Sequence, residues 1–368
     1  MATIATIVGA RPQFIKAAVV SREIRNIRGL DEILIHTGQH YDEMMSKVFF
    51  DEFEMAPPDF NLEIGSAGHG AQTGRMLEAI EAAFIKCKPD LTLVYGDTNS
   101  TLAGGLAAVK LHIPLAHVEA GLRSFNRNMP EEVNRVVADC VADLLFVPTT
   151  TAADNLLREG VDPTKIHAVG DVMYDAALQF GARSSSKQSV ADLLGLKSRD
   201  YVLATIHRAE NTDHAGRLNA IFGGLSDISA ELPVVLPLHP RTRKVLVDSG
   251  LETQLPESLI RIDPVSYQAM VELEREARLI VTDSGGIQKE AYFHRTRCVT
   301  LRNETEWPEL IALGCNHLLP PHDRQAVVAG IRHALAAVDD WSPDTTMFGG
   351  GQASRRIVEI LENRLLAQ

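Results

Sequence analysis

Leu91-Thr-Leu-Val-Tyr-Gly-Asp-Thr-Asn-Ser-Thr101 decides the fold. An apolar run ends abruptly in a glycine, a carboxylate and a row of hydroxyls and amides. A second run, Ile113-Pro-Leu-Ala-His-Val118, stops in the same way at Glu119-Ala-Gly-Leu-Arg123. A polar loop then leads to Pro130-Glu-Glu-Val-Asn-Arg135. Short apolar runs of this kind, bounded by turn residues, read as strands of a buried parallel sheet. Ligands of such sheets bind outside the carboxyl ends of the strands. Asp97, Glu119 and Glu131 therefore collect at one edge, a composition suited to proton transfer. The plain alternative is that Asp97 caps a helix, Glu119 pairs with Arg123, and Glu131 and Glu132 favour a helix start.

Outward from this stretch the same alternation recurs. Thr3 to Val8 is the first strand and opens into Gly9-Ala-Arg-Pro-Gln-Phe-Ile-Lys16. Pro12 suits a first helical turn, and the turn's N–H groups with Arg11 and Lys16 can hold an anion. Glu32 to His36 is the second strand, with His40 just beyond it. Residues 55 to 72, rich in Pro, Gly and polar residues, read as a mobile loop before a helix from about Thr73. Arg183-Ser-Ser-Ser-Lys-Gln-Ser189 is the best linker candidate.

After the linker the pattern repeats. Strands end at His207-Arg208, at His239-Pro-Arg241, at Asp263, at Asp283-Ser-Gly-Gly-Ile-Gln-Lys-Glu290 and at Arg302. The small-residue turn at Ser284, Gly285 and Gly286 lets backbone N–H groups approach a phosphate. Glu290, a few residues later, can accept from ribose hydroxyls. The expected architecture is α/β, with two doubly wound Rossmann-like domains facing a central cleft. Their expected bounds are 1–180, 190–350, and 351–368 as a closing helix packing back on the first domain.

The 368 residues, 45% hydrophobic, suffice for two cores. A formal net charge of −12 disfavours general binding to nucleic acid or anionic membrane. The four cysteines form no C-x-x-C pair, which speaks against zinc and for a reducing compartment. No basic leader precedes the first strand, and no apolar run reaches a membrane span. A cytoplasmic enzyme without cofactor or metal is expected. With no Asp-x-Asp pair to hold a metal diphosphate, Arg, Lys, His and helix N-termini must neutralise the charge. The two halves together suit a nucleotide-activated sugar.

These motifs resemble the non-hydrolysing UDP-N-acetylglucosamine 2-epimerases, whose fold is called GT-B. The resemblance rests on Gly9 to Lys16, Thr37-Gly-Gln-His40, Gly96-Asp-Thr98, His117 to Arg123 and Pro130 to Arg135. In the second half it rests on His207-Arg208, Asp283 to Glu290, Thr305-Glu306 and Gly349-Gly-Gly-Gln352. It implies elimination of UDP to a 2-acetamidoglucal and re-addition, for surface polysaccharide precursors. It also implies catalytic roles for Asp97, Glu119, Glu131, His207, Arg11 and Lys16. UDP-sugar binding falls to His40, Arg135, His239, Ser284, Gly285, Gly286, Glu290 and Glu306. A homodimer is implied as well. Ala209, Trp307 and the loop Arg123 to Pro130 depart from the common pattern. They resemble the branch acting on UDP-2,3-diacetamido-2,3-dideoxy-glucuronate, with Arg127 a candidate for the extra carboxylate, or else a solvated loop charge. Ala209 also speaks against a second, allosteric UDP-sugar site. A GT-B glycosyltransferase and a hydrolysing 2-epimerase are the alternatives.

Overall fold

The computed structural model describes residues 1–39, 52–181, 189–337, 344 and 346–366. The chain divides into two units, Met1–Gln179 with Asp344–Gln368, and Phe180–Pro343. The linker stretch 183–188 and His40 lie outside the described residues.

The first unit is built on seven parallel strands: β1 (Ala2–Val8), β2 (Leu30–His36), β3 (Phe60–Asn61), β4 (Leu91–Tyr95), β5 (Leu115–Val118), β6 (Leu144–Val147) and β7 (Ile166–Ala168). Their order is β3-β2-β1-β4-β5-β6-β7. All five residues of β4 and all four of β5 are buried. Continuous burial explains why these strands read as mostly apolar runs and not as alternating ones, with Thr92 and His117 the buried polar exceptions. The chain doubles back between β1 and β4, where Ile4 stands opposite Leu91 and Thr6 opposite Leu93. Such a reversal of strand order is the usual ligand position in doubly wound sheets.

The second unit repeats the plan with six parallel strands: β8 (Val202–Thr205), β9 (Val234–Pro237), β10 (Leu259–Ile262), β11 (Leu279–Thr282), β12 (Arg297–Thr300) and β13 (Asn316–Leu318). The order is β10-β9-β8-β11-β12-β13, reversing between β8 and β11. Successive residues point to opposite faces. Val202, Ala204, Val281 and Val299 therefore join the core on one face. Tyr201, Leu203, Ile280 and Cys298 join the other.

Two local readings change. Residues 55–72 are not one loop: Phe60 pairs with Ile35, and the helix begins at His69, with Gly68 as its cap. Glycine at a helix start masks the periodicity that marks the helix further on. The Ala353–Leu366 helix belongs to the first unit, where the Asp175 carboxylate accepts from Ala353 N, Ser354 N and Ser354 Oγ at 3.1, 2.7 and 2.6 Å. No described helix is long and apolar enough to cross a membrane.

Candidate active site

In the first unit the site grows from the β1/β4 reversal. Gln13, buried in the first turn of the Arg11–Asn26 helix, ties the two strand ends together. Its Oε1 accepts from Gly9 N at 2.8 Å and Ala10 N at 3.0 Å. Its Nε2 donates to Tyr95 O at 2.8 Å and Thr101 Oγ1 at 3.0 Å. One buried amide thus satisfies four groups from two turns, which fixes where Arg11 and Asp97 begin.

Lys16, one turn further along that helix, forms a nearly buried ion pair with Glu119. Both lie against Gly96: a Cβ placed there would sit 3.2 Å from Glu119 Oε2 and 3.2 Å from Lys16 Nζ. Glu119 has φ +71°, the left-handed region that side chains other than glycine seldom adopt. Its N–H and that of Ala120 both donate to Phe146 O, at 3.1 Å each, so β6 holds the turn in place. These bonds offset the cost of a left-handed residue other than glycine. Gly121 follows with φ +80°; a Cβ there would meet Ala152 O at 2.3 Å, so only glycine lets the turn close.

Asp97 is partly exposed and paired with Arg135, whose guanidinium reaches Asp97 Oδ2 at 2.5 Å and Glu132 Oε2 at 3.0 Å. Glu132 is buried and also accepts from Ser124 N, Ser124 Oγ and Phe125 N at 2.9, 3.1 and 2.9 Å. Of the adjacent glutamates, Glu132 is therefore an anchor of the Ser124–Met129 loop. Glu131 is half-buried, with no side-chain hydrogen bond or ion pair among the described residues. The structure thus brings Lys16 to Glu119 and Arg135 to Asp97. It leaves Glu131 on the first turn of the Pro130–Val141 helix, and Arg11 at the head of its own helix, half-buried.

In the second unit the organising group is Asp283, fully buried at the end of β11. Its carboxylate accepts from His207 N at 3.1 Å, Arg208 N at 3.0 Å and Asn211 Nδ2 at 3.0 Å. The His207 ring stands 3.3 Å away through Nδ1. Desolvation pushes His207 below the usual imidazole range and Arg208 and Arg241 add to this, while Asp283 opposes it. The exposed His239 ring lies 5.7 Å from that of His207. Ser284 precedes the Gly285–Phe293 helix and makes no side-chain cap bond to it. The first-turn N–H groups are thus left for an anion. A Cβ on Gly285 would stand 3.7 Å from the Arg208 guanidinium, and one on Gly286 3.9 Å from Glu290 Oε2 and Ser284 Oγ. Ser284, Gly285, Gly286, Glu290 and Arg208 therefore share one neighbourhood.

Glu306, expected to bind the nucleotide, has both carboxylate oxygens engaged by Arg302: NH1 reaches Oε2 at 2.9 Å and NH2 reaches Oε1 at 3.0 Å. Arg302 is fully buried and has Glu210 as a further neighbour at 3.5 Å. Asp283, Asn211, Arg208, Gln13, Glu132 and Arg302 stand in or beside the quoted motifs or strand ends but carry no site role in the sequence reading. Arg208 and Asp283 were flagged only by their positions beside His207 and at a strand end. Among the described residues no group of three or more His, Cys, Asp or Glu is placed to hold a metal ion.

The chain is similar to known proteins over nearly its whole length. A family model described as UDP-N-acetylglucosamine 2-epimerase matches residues 22–362. A Pseudomonas aeruginosa UDP-2,3-diacetamido-2,3-dideoxy-D-glucuronate 2-epimerase is 51% identical over 363 residues, covering 97% of this chain and 99% of its own. A Methanococcus maripaludis UDP-N-acetylglucosamine 2-epimerase is 44% identical, over 98% of each chain. The crystal structure of the Methanocaldococcus jannaschii UDP-GlcNAc 2-epimerase with UDP-GlcNAc and UDP has a TM-score of 0.91 at 42% identity, covering 98% of this chain and 99% of that one. With two doubly wound parallel units and matches of this length and identity, the chain belongs to the UDP-N-acetylglucosamine 2-epimerase family.

Proposed function

We propose that this epimerase inverts C2 of a UDP-2-acetamido sugar by eliminating and re-adding UDP, with the 2,3-diacetamido-glucuronate form as its substrate. One observation carries the reading of the mechanism. The adjacent ends of β4 and β5 present two carboxylates, each facing its own cation: Asp97 with Arg135, and Glu119 with Lys16. Inversion through a planar intermediate needs proton transfer on both faces, hence at least two acid/base groups.

The chemistry follows from the sugar. Its C2 hydrogen is not next to a carbonyl carbon, so enolisation is closed to it. A carboxylate takes the C2 proton as the C1–O bond to UDP breaks, giving UDP and a 2-acetamidoglucal. A β-phosphate oxygen of UDP then re-forms the bond to C1 while a second acid delivers a proton to the other face of C2. No water is consumed. Asp97, Glu119 and Glu131 are the proposed proton-transfer groups. Arg11, Lys16 and His207 offset charge on the departing diphosphate. Ser284, Gly285 and Gly286 with Arg208 bind phosphate, and Glu290 binds ribose. Arg135 acts by holding Asp97, and His239 stands beside His207 at the nucleotide. Glu306 acts indirectly, by holding Arg302.

The 51% identical relative supports the uronate substrate. So does Arg127 in the loop anchored by Glu132, as the partner of a C6 carboxylate. UDP-N-acetylglucosamine is the second reading, favoured by the relatives of that name. The proposal includes a homodimer and a cytoplasmic role in precursor supply for surface polysaccharide. The four free thiols support the reducing setting. The test is incubation with each UDP-sugar in D2O, followed by NMR at C2. Interconversion of gluco and manno forms with deuterium at C2 is expected. Release of free sugar without exchange, or inertness toward both sugars, refutes the reading.

A further inference from the structure

His117 and Arg123 belong to the stretch that also carries Glu119, and neither has a place in the chemistry so far. Both are buried, at 0% and 3% exposure. His117 Nε2 lies 2.7 Å from Gly96 O, and Nδ1 lies 2.7 Å from Asp139 Oδ1. A carbonyl only accepts, so Nε2 carries a proton toward Gly96. The other Asp139 oxygen accepts from Gly121 N at 3.0 Å and Arg123 NH1 at 2.7 Å. Arg123 in turn donates to Leu122 O at 2.8 Å and through Nε to Glu159 Oε1 at 2.8 Å.

The members of this network sit next to every proton-transfer group of the first unit. Gly96 immediately precedes Asp97. Gly121 closes the strained turn that begins at Glu119. Asp139 lies two turns along the Pro130–Val141 helix from Glu131 and one turn from Arg135. Three separate elements, each delivering one carboxylate, are thus joined through a single buried imidazole–carboxylate contact. Burial raises the Asp139 carboxyl, but His117 and Arg123 outweigh it and hold the group below the usual carboxylate range. The acceptor is therefore maintained as a carboxylate.

We propose that His117 and Asp139 are a positioning pair that sets the mutual placement of Asp97, Glu119 and Glu131, an inference resting on the epimerase reading above. Neither residue transfers a proton to the sugar. Their effect is geometric, and a misplacement of about 1 Å at a reacting group costs about 10²-fold in rate.

The test compares the intact wild type with His117→Gln, Asp139→Asn and the double variant. In His117→Gln the amide N–H still reaches Gly96 O, but its carbonyl faces the Asp139 carboxylate. Adding Asp139→Asn turns an N–H toward that carbonyl and restores donor–acceptor order. His117→Gln is expected to lose about 10²-fold in kcat, with KM and UDP affinity within about threefold of the wild type. Asp139→Asn, whose amide N–H can donate to Nδ1 of a neutral His117, is expected to keep kcat within about tenfold. The double variant is expected to regain at least about tenfold over His117→Gln. His117→Gln with wild-type kcat, an Asp139→Asn loss as large as that of His117→Gln, a parallel loss of UDP affinity, or no recovery in the double variant overturns the proposal. Should a single variant be recovered unfolded, the double variant decides: regained fold with regained turnover supports the pair, and regained fold without turnover refutes it. Should the wild type turn over neither sugar, the functional reading fails by itself. The pair is then judged from crystal structures of the variants: it stands if the Asp97 and Glu119 carboxylates shift, and falls if they stay.

Discussion

Glu306 separates a ligand contact from a structural lock, and its substitution gives opposite results in the two cases. Arg302 is wholly buried, and Glu306 meets it through two bonds of 2.9 and 3.0 Å. Breaking a buried pair by removing one partner costs about 3–5 kcal/mol, because the remaining charge stays desolvated. Glu210 stands 3.5 Å from Arg302 and keeps part of the compensation. Glutamine at position 306 also preserves one acceptor. Glu306→Gln is therefore expected to cost about 3 kcal/mol, the low end of that range. For a unit the size of Phe180–Pro343 this lowers its Tm by about 6–12 °C. Adding Arg302→Met removes the orphaned charge, and much of the stability should return. The assay is calorimetry of the two-unit protein without ligand, with UDP titration at a temperature where the variant is folded. An unchanged Tm with UDP affinity reduced tenfold or more would refute the lock and make Glu306 a ligand contact.

Other outcomes follow from the same geometry. Asp97→Asn should leave UDP affinity within about threefold while C2 deuterium exchange falls by at least about 10²-fold, the usual contribution of a positioned acid or base; full exchange in that variant removes Asp97 from the mechanism. Gly9→Ala places a methyl 2.1 Å from both Thr37 Oγ1 and Ser100 Oγ, and should cost about 1–3 kcal/mol in urea unfolding through overpacking. Burial leads Arg275 and Arg199 in pushing His294 from 6.5 down to about 4. Between those values the unfolded chain binds the extra proton, so His294 makes stability rise with pH, by up to about 3 kcal/mol across the window. Comparing urea unfolding of wild type and His294→Gln at pH 4.5 and 7.5 should show the wild type's stability falling more toward acid.

The sequence alone determined the α/β class and the strand ends at which chemistry collects. Apolar runs stopping at Asp97, Glu119, His207 and Asp283 are local signals, because a strand buried on both faces is mostly apolar and its charged residues collect where it ends. The order of motifs likewise sufficed for the family. Pairing was decided by tertiary structure. Lys16 and Glu119 stand more than a hundred positions apart, yet the strand order β1-β4-β5 makes them partners. Glu131 and Glu132 are neighbours in an acidic pair; only the path of the Ser124–Met129 loop makes Glu132 its anchor. Glu306 reads in sequence as a ligand contact, and only the folded chain shows that both its oxygens also meet the buried Arg302. Desolvation and hydrogen-bond partners depend on what the folded chain places within about 3 Å, and strand periodicity carries no record of that.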